Sequence, residues 1–254
     1  MVECSYKEFK NKIQKTDVIS IEDVFSDKHI VFDIETIRKT NSFEELDDKT
    51  QDLWYDITEK HKEFETYIKN DIPASQIYED RGGLYPEYLT VVSICFGIYY
   101  NNDNYISSLS LNDGTEEEIL RKFSDLLLLN PSAYLVGYNV INFDIDILWK
   151  KMLFYNIPIP KQLNTRIVKP WEVKVIDIML KWQGTRYSFI PSMDMIANYF
   201  GIGTSKDKLN GSQVSPLYWN SDSDRYDNVE KITDYCKSDV DICLKIFRKI
   251  KDNI

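Results

Sequence analysis

The chain has 254 residues, 43% of them hydrophobic, so it is long enough for one large domain or two small ones with a substantial core. Its formal net charge of −10 argues against broad, sequence-independent wrapping of duplex nucleic acid. The same charge is compatible with an enzyme that holds a few nucleotides and uses divalent cations. Only two histidines are present, which nearly excludes histidine-centred catalysis, and the four cysteines show neither CxxC pairing nor zinc-site spacing.

No apolar run approaches the roughly 18 residues of a membrane span, and the polar first residues do not form a secretory signal. We therefore expect a soluble, cytoplasmic protein with reduced thiols. Residues 1–27 are interpreted as an N-terminal extension, and residues 28–254 as a single domain.

The first clear element is HIVFDIETIRKT, residues 29–40, which has the composition of a buried β-strand. A charged, helix-favouring stretch follows at about 38–87, and Ser42 with Glu45 forms a possible capping box there. We interpret this stretch as a helical insertion, because it has too few apolar residues for a core of its own.

The rest of the chain alternates strands and helices. A β-hairpin is predicted first, then a Thr-capped helix, a short strand, a helix, a last strand that runs into a helix, and a helical C-terminal third. The corresponding residues are 88–100 with 105–111, 115–129, 133–139, 143–156 and 173–180, and the helical third closes with residues 228–251. This order predicts an α/β fold with a mixed sheet and helices on both faces.

Two acids interrupt the apolar first strand. Asp33 and Glu35 are two residues apart, so their side chains point to the same face of the sheet. Burying unpaired carboxylates would cost several kcal/mol each, roughly, unless they bind a cation or a proton. A solvated strand end would explain the two acids equally well.

A third acid lies in the apolar stripe of the last helix. At 100° per residue, Ile232, Cys236, Cys243 and Phe247 fall on one face, and Asp239 falls in its centre. Tyr235 precedes this aspartate by one turn and is its neighbour. Pairing with a buried lysine or arginine is the alternative. By the same geometry Asp234 and Asp241 fall on the opposite, solvated side.

A fourth candidate, Asp144, lies where a strand turns into a helix, and the helix dipole favours a carboxylate there. Simple capping is the alternative, and Asp146 is an equally good candidate by helix geometry alone. Together the four acids suit two hard divalent cations about 3.5–4 Å apart, which would activate water and stabilise a leaving oxygen.

Three motifs in this order resemble those of the DnaQ-like, or DEDD, exonucleases, which have a ribonuclease H-like fold with a five-stranded mixed sheet. They are Asp33-Ile-Glu35-Thr36, the stretch from Asn139 to Phe143-Asp144, and Tyr235-Cys-Lys-Ser-Asp239. The tyrosine form of the third motif indicates the DEDDy subclass. The resemblance extends over most of residues 28–250 and is greatest to stand-alone relatives of the proofreading domain of B-family DNA polymerases.

The resemblance implies a 3′–5′ exonuclease that releases nucleoside 5′-monophosphates from single-stranded DNA with two Mg²⁺ or Mn²⁺ ions. It implies a replication or repair partner and no membrane. Asp33, Glu35, Asp144 and Asp239 would be the metal ligands, and Tyr235 would orient the attacking water. The implied substrate-binding residues are Thr36, Asn139, Phe143, Ser192 and Met193, and Ser192 is also interpreted as a helix N-cap.

Other functions remain open at this point. An RNA substrate would leave no readable signature in the sequence, because the deciding contact is to a 2′-hydroxyl. A haloacid dehalogenase-like phosphatase would explain the first acid but neither Tyr235 nor Asp239. A non-catalytic nucleic-acid-binding module is the third possibility. The insertion, which leaves the strand directly after Thr36, is expected to cover the mouth of the site.

Overall fold

The computed structural model describes residues 2–3, 5–6, 8, 29–100, 103–166, 168–169, 172–185, 189–203 and 209–252. The strands are β1 Val2–Glu3, β2 His29–Arg38, β3 Leu89–Tyr100, β4 Asp103–Ser110, β5 Tyr134–Gly137 and β6 Val175–Asp177. The helices are α1 Asp48–Lys60, α2 Glu65–Lys69, α3 Ala74–Arg81, α4 Glu116–Leu128, α5 Asp144–Phe154, α6 Ile178–Gln183, α7 Met193–Tyr199, α8 Gly211–Trp219 and α9 Arg225–Lys251. None of the described helices is long and apolar enough to cross a membrane.

The sheet has the strand order β1-β4-β3-β2-β5-β6. Strands β2, β3 and β4 pair antiparallel, whereas β5 pairs parallel with both β2 and β6. The predicted five-stranded mixed sheet is therefore confirmed, and the two-residue β1 adds an edge to it by pairing parallel with β4. Of the predicted N-terminal extension, residues 1–27, all but residues 2–3, 5–6 and 8 lie outside the described part of the chain.

Helices pack on both faces of β2, as the strand and helix order predicts. Ile30, Phe32 and Ile34 point into a large core that includes residues of α4, the helix before β5, and of α5, the helix after it. Val31 points to the opposite face, where it packs with Cys236 and other apolar residues of α9. Because side chains alternate along a strand, Asp33 and Glu35 must share the α9 face with Val31.

A β-bulge lies beside the second of these acids. Glu35 pairs with Ser93, but the next residue, Thr36, pairs with Val91, so Val92 is an extra residue in β3. The bulge places Val91 in the α4–α5 core and Val92 in the core with α8 and α9. Bulges bend a strand and re-aim its side chains, and this one follows directly after the acidic pair.

The segment between β2 and β3 contains α1, α2 and α3 and has a hydrophobic core of its own. The expectation that it has too few apolar residues was wrong, because the core is built from large aromatic side chains: Phe43, Trp54, Phe64, Tyr78 and Tyr88, with Leu46 and Ile77. Aromatic rings bury far more area per residue than aliphatic side chains do. A few of them therefore suffice for a compact insertion.

The predicted capping box in this insertion is also wrong. Ser42 makes no side-chain capping bond, and Phe43–Glu45 is a single 3₁₀ turn. The helix begins later, at α1, where Asp47 accepts the backbone N–H of Thr50 at 3.1 Å. By contrast, Thr115 and Glu118 form a full capping box at the start of α4, where a Thr cap was predicted.

Candidate active site

Asp33 and Glu35 lie in the centre of the sheet, on β2, opposite Cys95 and Ser93 of β3. Asp33 is half-buried and Glu35 is only 9% exposed. Their position on a central strand, with α9 packed over the same face, excludes the solvated strand end that the sequence left open. The two carboxylates are therefore held in a partly dry environment.

Asp144 is brought to the same place by the first turn of α5. It is 2% exposed, and its Oδ1 accepts the backbone N–H of Ile34 at 3.0 Å. That N–H is available because the pairing between β2 and β5 ends at Val31. Asp146 instead forms ion pairs with Lys150 and Arg166. The structure thus distinguishes two acids that helix geometry alone could not.

The turn from β5 into α5 is built around Gly137 and Asp177. A Cβ on Gly137 would lie 2.1 Å from Cγ1 of Val140 and 2.9 Å from the carbonyl oxygen of Phe32, so only glycine fits. The carboxylate of Asp177 accepts the N–H groups of Asn139 and Ile141, each at 3.1 Å. Asp177 also caps α6 by accepting the N–H of Leu180 at 3.3 Å. Its buried carboxylate therefore fixes the loop that leads to Asp144.

Helix α9 supplies Tyr235, Cys236 and Asp239 from one face. The Tyr235 hydroxyl interacts with the carboxylate of Asp239, and the charge of Asp239 interacts with those of Glu35 and Asp33. Cys236 is fully buried, and its Sγ donates to Oδ2 of Asp33 at 3.4 Å. The apolar stripe in which Asp239 was predicted to lie is therefore the face of α9 that packs against β2.

Two other acids of α9 were predicted to be solvated, and the prediction is wrong for one of them. Asp234 is exposed, with 63% of its side chain accessible. Asp241 is only 13% exposed, because it accepts a hydrogen bond from Asn104 of β4 at 2.9 Å and pairs with Lys245 at 2.6 Å. A helical wheel does not show the partner strand that covers this residue.

The electrostatics of the cluster favour either a cation or a proton. Burial, followed by the charges of Asp144, Glu35 and Asp239, raises the pKa of Asp33, and burial likewise raises the pKa of Glu35. Burial raises the pKa of Asp144 to about 7 and that of Asp239 to about 6, although the N–H of Ile34 and the hydroxyl of Tyr235, respectively, oppose these shifts. A bound divalent cation would restore the ionised forms.

The donor set fits hard divalent cations. Asp33 and Glu35, with Cys236, offer ligand atoms that all lie within 4.8 Å of one another. Oxygen ligands at about 2.0–2.2 Å are the preference of Mg²⁺ and Mn²⁺, and Asp144 and Asp239 lie close enough to affect the ionisation of this pair. These four carboxylates are the residues that would hold the ions.

A cleft of about 370 Å³ opens beside Glu35. Thr36 and Phe143, two of the predicted substrate-binding residues, line it. The other walls come from the end of the insertion and from the start of α8: Glu79, Asp80, Arg81, Gly83, Leu84, Gly211, Ser212 and Ser215. The Thr36 hydroxyl donates to the carbonyl of Gly83 at 2.6 Å. A larger hollow of about 590 Å³, at the far end of α5, contains none of the four acids.

The remaining predicted substrate residues lie around the cluster without lining this cleft. Asn139 has a left-handed backbone, with φ of 58°, in the loop held by Asp177. Ser192 caps α7 by accepting the Met195 N–H at 3.1 Å, as the N-cap interpretation predicted, and Met193 packs against the α9 core. The α7 start is nevertheless close to the acids, because the charge of Asp194 acts on Asp239.

Sequence reasoning missed several residues of the site. The insertion was expected to cover the mouth of the site, but which of its residues form the wall, 79–84, follows only from the return of the insertion onto β2. Cys236 was recognised only as an apolar member of the α9 stripe. Its signal was present, because it immediately follows Tyr235 and shares a helix face with Asp239.

The fold and the buried acidic cluster together define an RNase H-like α/β protein. A family model described as RNase_H superfamily matches residues 81–251, about two thirds of the chain. The chain therefore belongs to the RNase_H superfamily, which excludes the haloacid dehalogenase-like alternative. A comparison with curated proteins finds no match.

Solved structures agree with this assignment of the fold. One similar structure is described as the family B DNA polymerase from the hyperthermophilic archaeon Pyrobaculum calidifontis, with a TM-score of 0.55 and 16% sequence identity. The similarity covers 88% of this chain and 24% of the polymerase chain. The present chain thus spans about a quarter of the polymerase, and at this identity the likeness concerns the fold.

Proposed function

We propose that this protein is a divalent-metal-dependent 3′–5′ exonuclease that hydrolyses single-stranded DNA to nucleoside 5′-monophosphates. The observation that carries the proposal is the convergence of four acids from three separate elements, with the Tyr235 hydroxyl interacting with one of them, Asp239. Membership in the RNase_H superfamily and the likeness to a polymerase fold support a nuclease.

Each part of the site has a role in this proposal. Asp33, Glu35, Asp144 and Asp239 would hold two Mg²⁺ or Mn²⁺ ions, which would acidify water and stabilise charge on the reacting phosphate. The Tyr235 hydroxyl remains protonated, because burial and the acids Asp239 and Glu35 raise its pKa. It can therefore hydrogen-bond the attacking water and orient it toward phosphorus.

The cleft beside Glu35 would receive the 3′-terminal nucleotide. Phe143 offers a ring on which a base can stack, and base stacking is tolerant of sequence. Thr36 and the serines of α8 offer polar atoms to the sugar and phosphate. The insertion closes one side of this cleft, so we expect it to exclude paired strands and admit a single one.

The DEDDy assignment and the DNA preference belong to this proposal and rest on the motif resemblance.

The proposal can be tested with a 5′-labelled single-stranded DNA oligonucleotide in Mg²⁺, Mn²⁺ or EDTA. We expect a metal-dependent ladder that shortens from the 3′ end, is lost in Asp239→Ala and is kept in Asp234→Ala, an exposed acid on the same helix. Degradation of an RNA oligonucleotide alone would change the substrate class, and cleavage of neither would favour a binding module.

A further inference from the structure

We propose that Cys236 provides a sulfur ligand inside the acidic cluster, so that thiophilic divalent cations such as Zn²⁺ and Cd²⁺ bind there with Asp33 and Glu35. The inference rests on the proposed function only insofar as the same carboxylates hold the activating cations. It adds a competing class of ligand, and therefore inhibition by soft cations, to the site.

The separations between the three side chains match a coordination shell. Their ligand atoms lie within 4.8 Å of one another, and Sγ of Cys236 is 3.4 Å from Oδ2 of Asp33. With a metal–sulfur bond of about 2.3 Å and a metal–oxygen bond of about 2.1 Å, sulfur and oxygen would be about 3.6 Å apart at a tetrahedral angle and about 3.1 Å apart at a right angle. The observed distance lies between the two values.

The thiol is held in this position by the fold. Cys236 is fully buried on α9, and its Sγ also approaches the backbone carbonyl oxygen of Asp33 at 3.4 Å. Cys95, on the neighbouring strand, lies in the same buried core cluster as Cys236. The sulfur therefore remains beside the carboxylates without any rearrangement of the helix.

The chemistry separates two kinds of cation. Mg²⁺ prefers oxygen ligands and would leave the thiol protonated, whereas Zn²⁺ and Cd²⁺ favour thiolate. Binding of the soft ion forms a metal–sulfur bond, breaks the S–H bond and releases that proton to solvent, with no change in oxidation state. Because Asp33 and Glu35 would be shared, the soft cation would displace the activating one.

Cadmium binding can be followed by the ultraviolet charge-transfer absorption of the cadmium–thiolate bond, which does not depend on nuclease activity. We expect the wild type to develop this band and Cys236→Ser to lose it. The Cd²⁺ affinity of the variant should fall by more than about tenfold, because mutating a residue that only supports a metal ligand already costs about that much. The control Cys95→Ser should keep the band, since the Cys95 sulfur faces the Thr233 carbonyl and the Ser93 hydroxyl.

Three results would overturn the assignment: no band in the wild type, a band that persists in Cys236→Ser, or a band lost only in Cys95→Ser. If circular dichroism shows that Cys236→Ser does not fold, competition between Mn²⁺ and Cd²⁺ on the wild type tests the assignment instead. Excess Mn²⁺ should suppress a cadmium–thiolate band that arises at the acids and should leave a band that arises elsewhere. Mn²⁺ binding is measured separately, by the electron paramagnetic resonance signal of the free ion. If Mn²⁺ does not bind, the proposed function is contradicted, and not the assignment of Cys236.

Discussion

The buried carboxylate of Asp144 should make the metal-free protein less stable at high pH. Its pKa is raised from 3.8 to about 7, so between these values the folded chain binds more protons than the unfolded chain. The free energy of unfolding therefore falls as the pH rises through this range, by about 4 kcal/mol for a shift of this size. That is a large part of the roughly 5–15 kcal/mol that holds most domains folded.

The variant Asp144→Asn removes this titration but keeps an oxygen that can accept the Ile34 N–H. In EDTA we expect it to be more stable than the wild type by up to about 4 kcal/mol at pH 8, but by only about 2 kcal/mol at pH 5, because pH 5 lies about one unit above the ordinary pKa of aspartate. Urea unfolding at both pH values measures this, with Asp146→Asn as a matched control that lies outside the cluster.

Added Mg²⁺ should reverse the order, stabilising the wild type more than the variant at pH 8, because a ligand that binds only the folded state stabilises it. The reasoning would be refuted by wild-type stability that does not change between pH 5 and pH 8 in EDTA. Equal destabilisation by Asp144→Asn at both pH values would refute it as well.

Three further outcomes are expected. Gly137→Ala should lower the free energy of unfolding by about 1–3 kcal/mol in urea titrations, because its Cβ overlaps Val140, whereas Gly203→Ala, in open space, should change little. Phe143→Ala should raise the oligonucleotide KM roughly tenfold, because the variant loses the ring on which a base stacks, while kcat should change less. An unchanged KM would exclude the stacking role. Burial lowers the pKa of His29, so its contribution to stability is present above about pH 6.5 and is lost as the pH falls below that value. The stability difference between wild type and His29→Gln should therefore shrink on acidification, and a constant difference would contradict this.

Periodicity alone located most of the acidic site. The two-residue period of a strand placed Asp33 and Glu35 together, and the helical period placed Asp239 in the apolar stripe of α9. The structure confirms both placements because each element is long and regular. The fold class followed from the same alternation of strands and helices.

The sequence could not predict features that depend on a partner element. Helix geometry could not distinguish Asp144 from Asp146. The motif resemblance selected Asp144, and the physical reason is the free N–H of Ile34, which exists because β5 ends early. The burial of Asp241 depends on Asn104 in β4. The aromatic core of the insertion went unrecognised because its side chains come from several short helices without a shared period.

The central claim is that the four-acid cluster is a metal-dependent exonuclease site, and the first product released from a single-stranded DNA oligonucleotide tests it most directly. The 3′-terminal base of the oligonucleotide should occur at no other position. The first product should be identified by mass after brief incubation with Mn²⁺. We expect the 3′-terminal nucleoside 5′-monophosphate to appear first and EDTA to prevent its release. Internal fragments, a nucleoside 3′-monophosphate, or release that persists in EDTA would show that the cluster is not such a site.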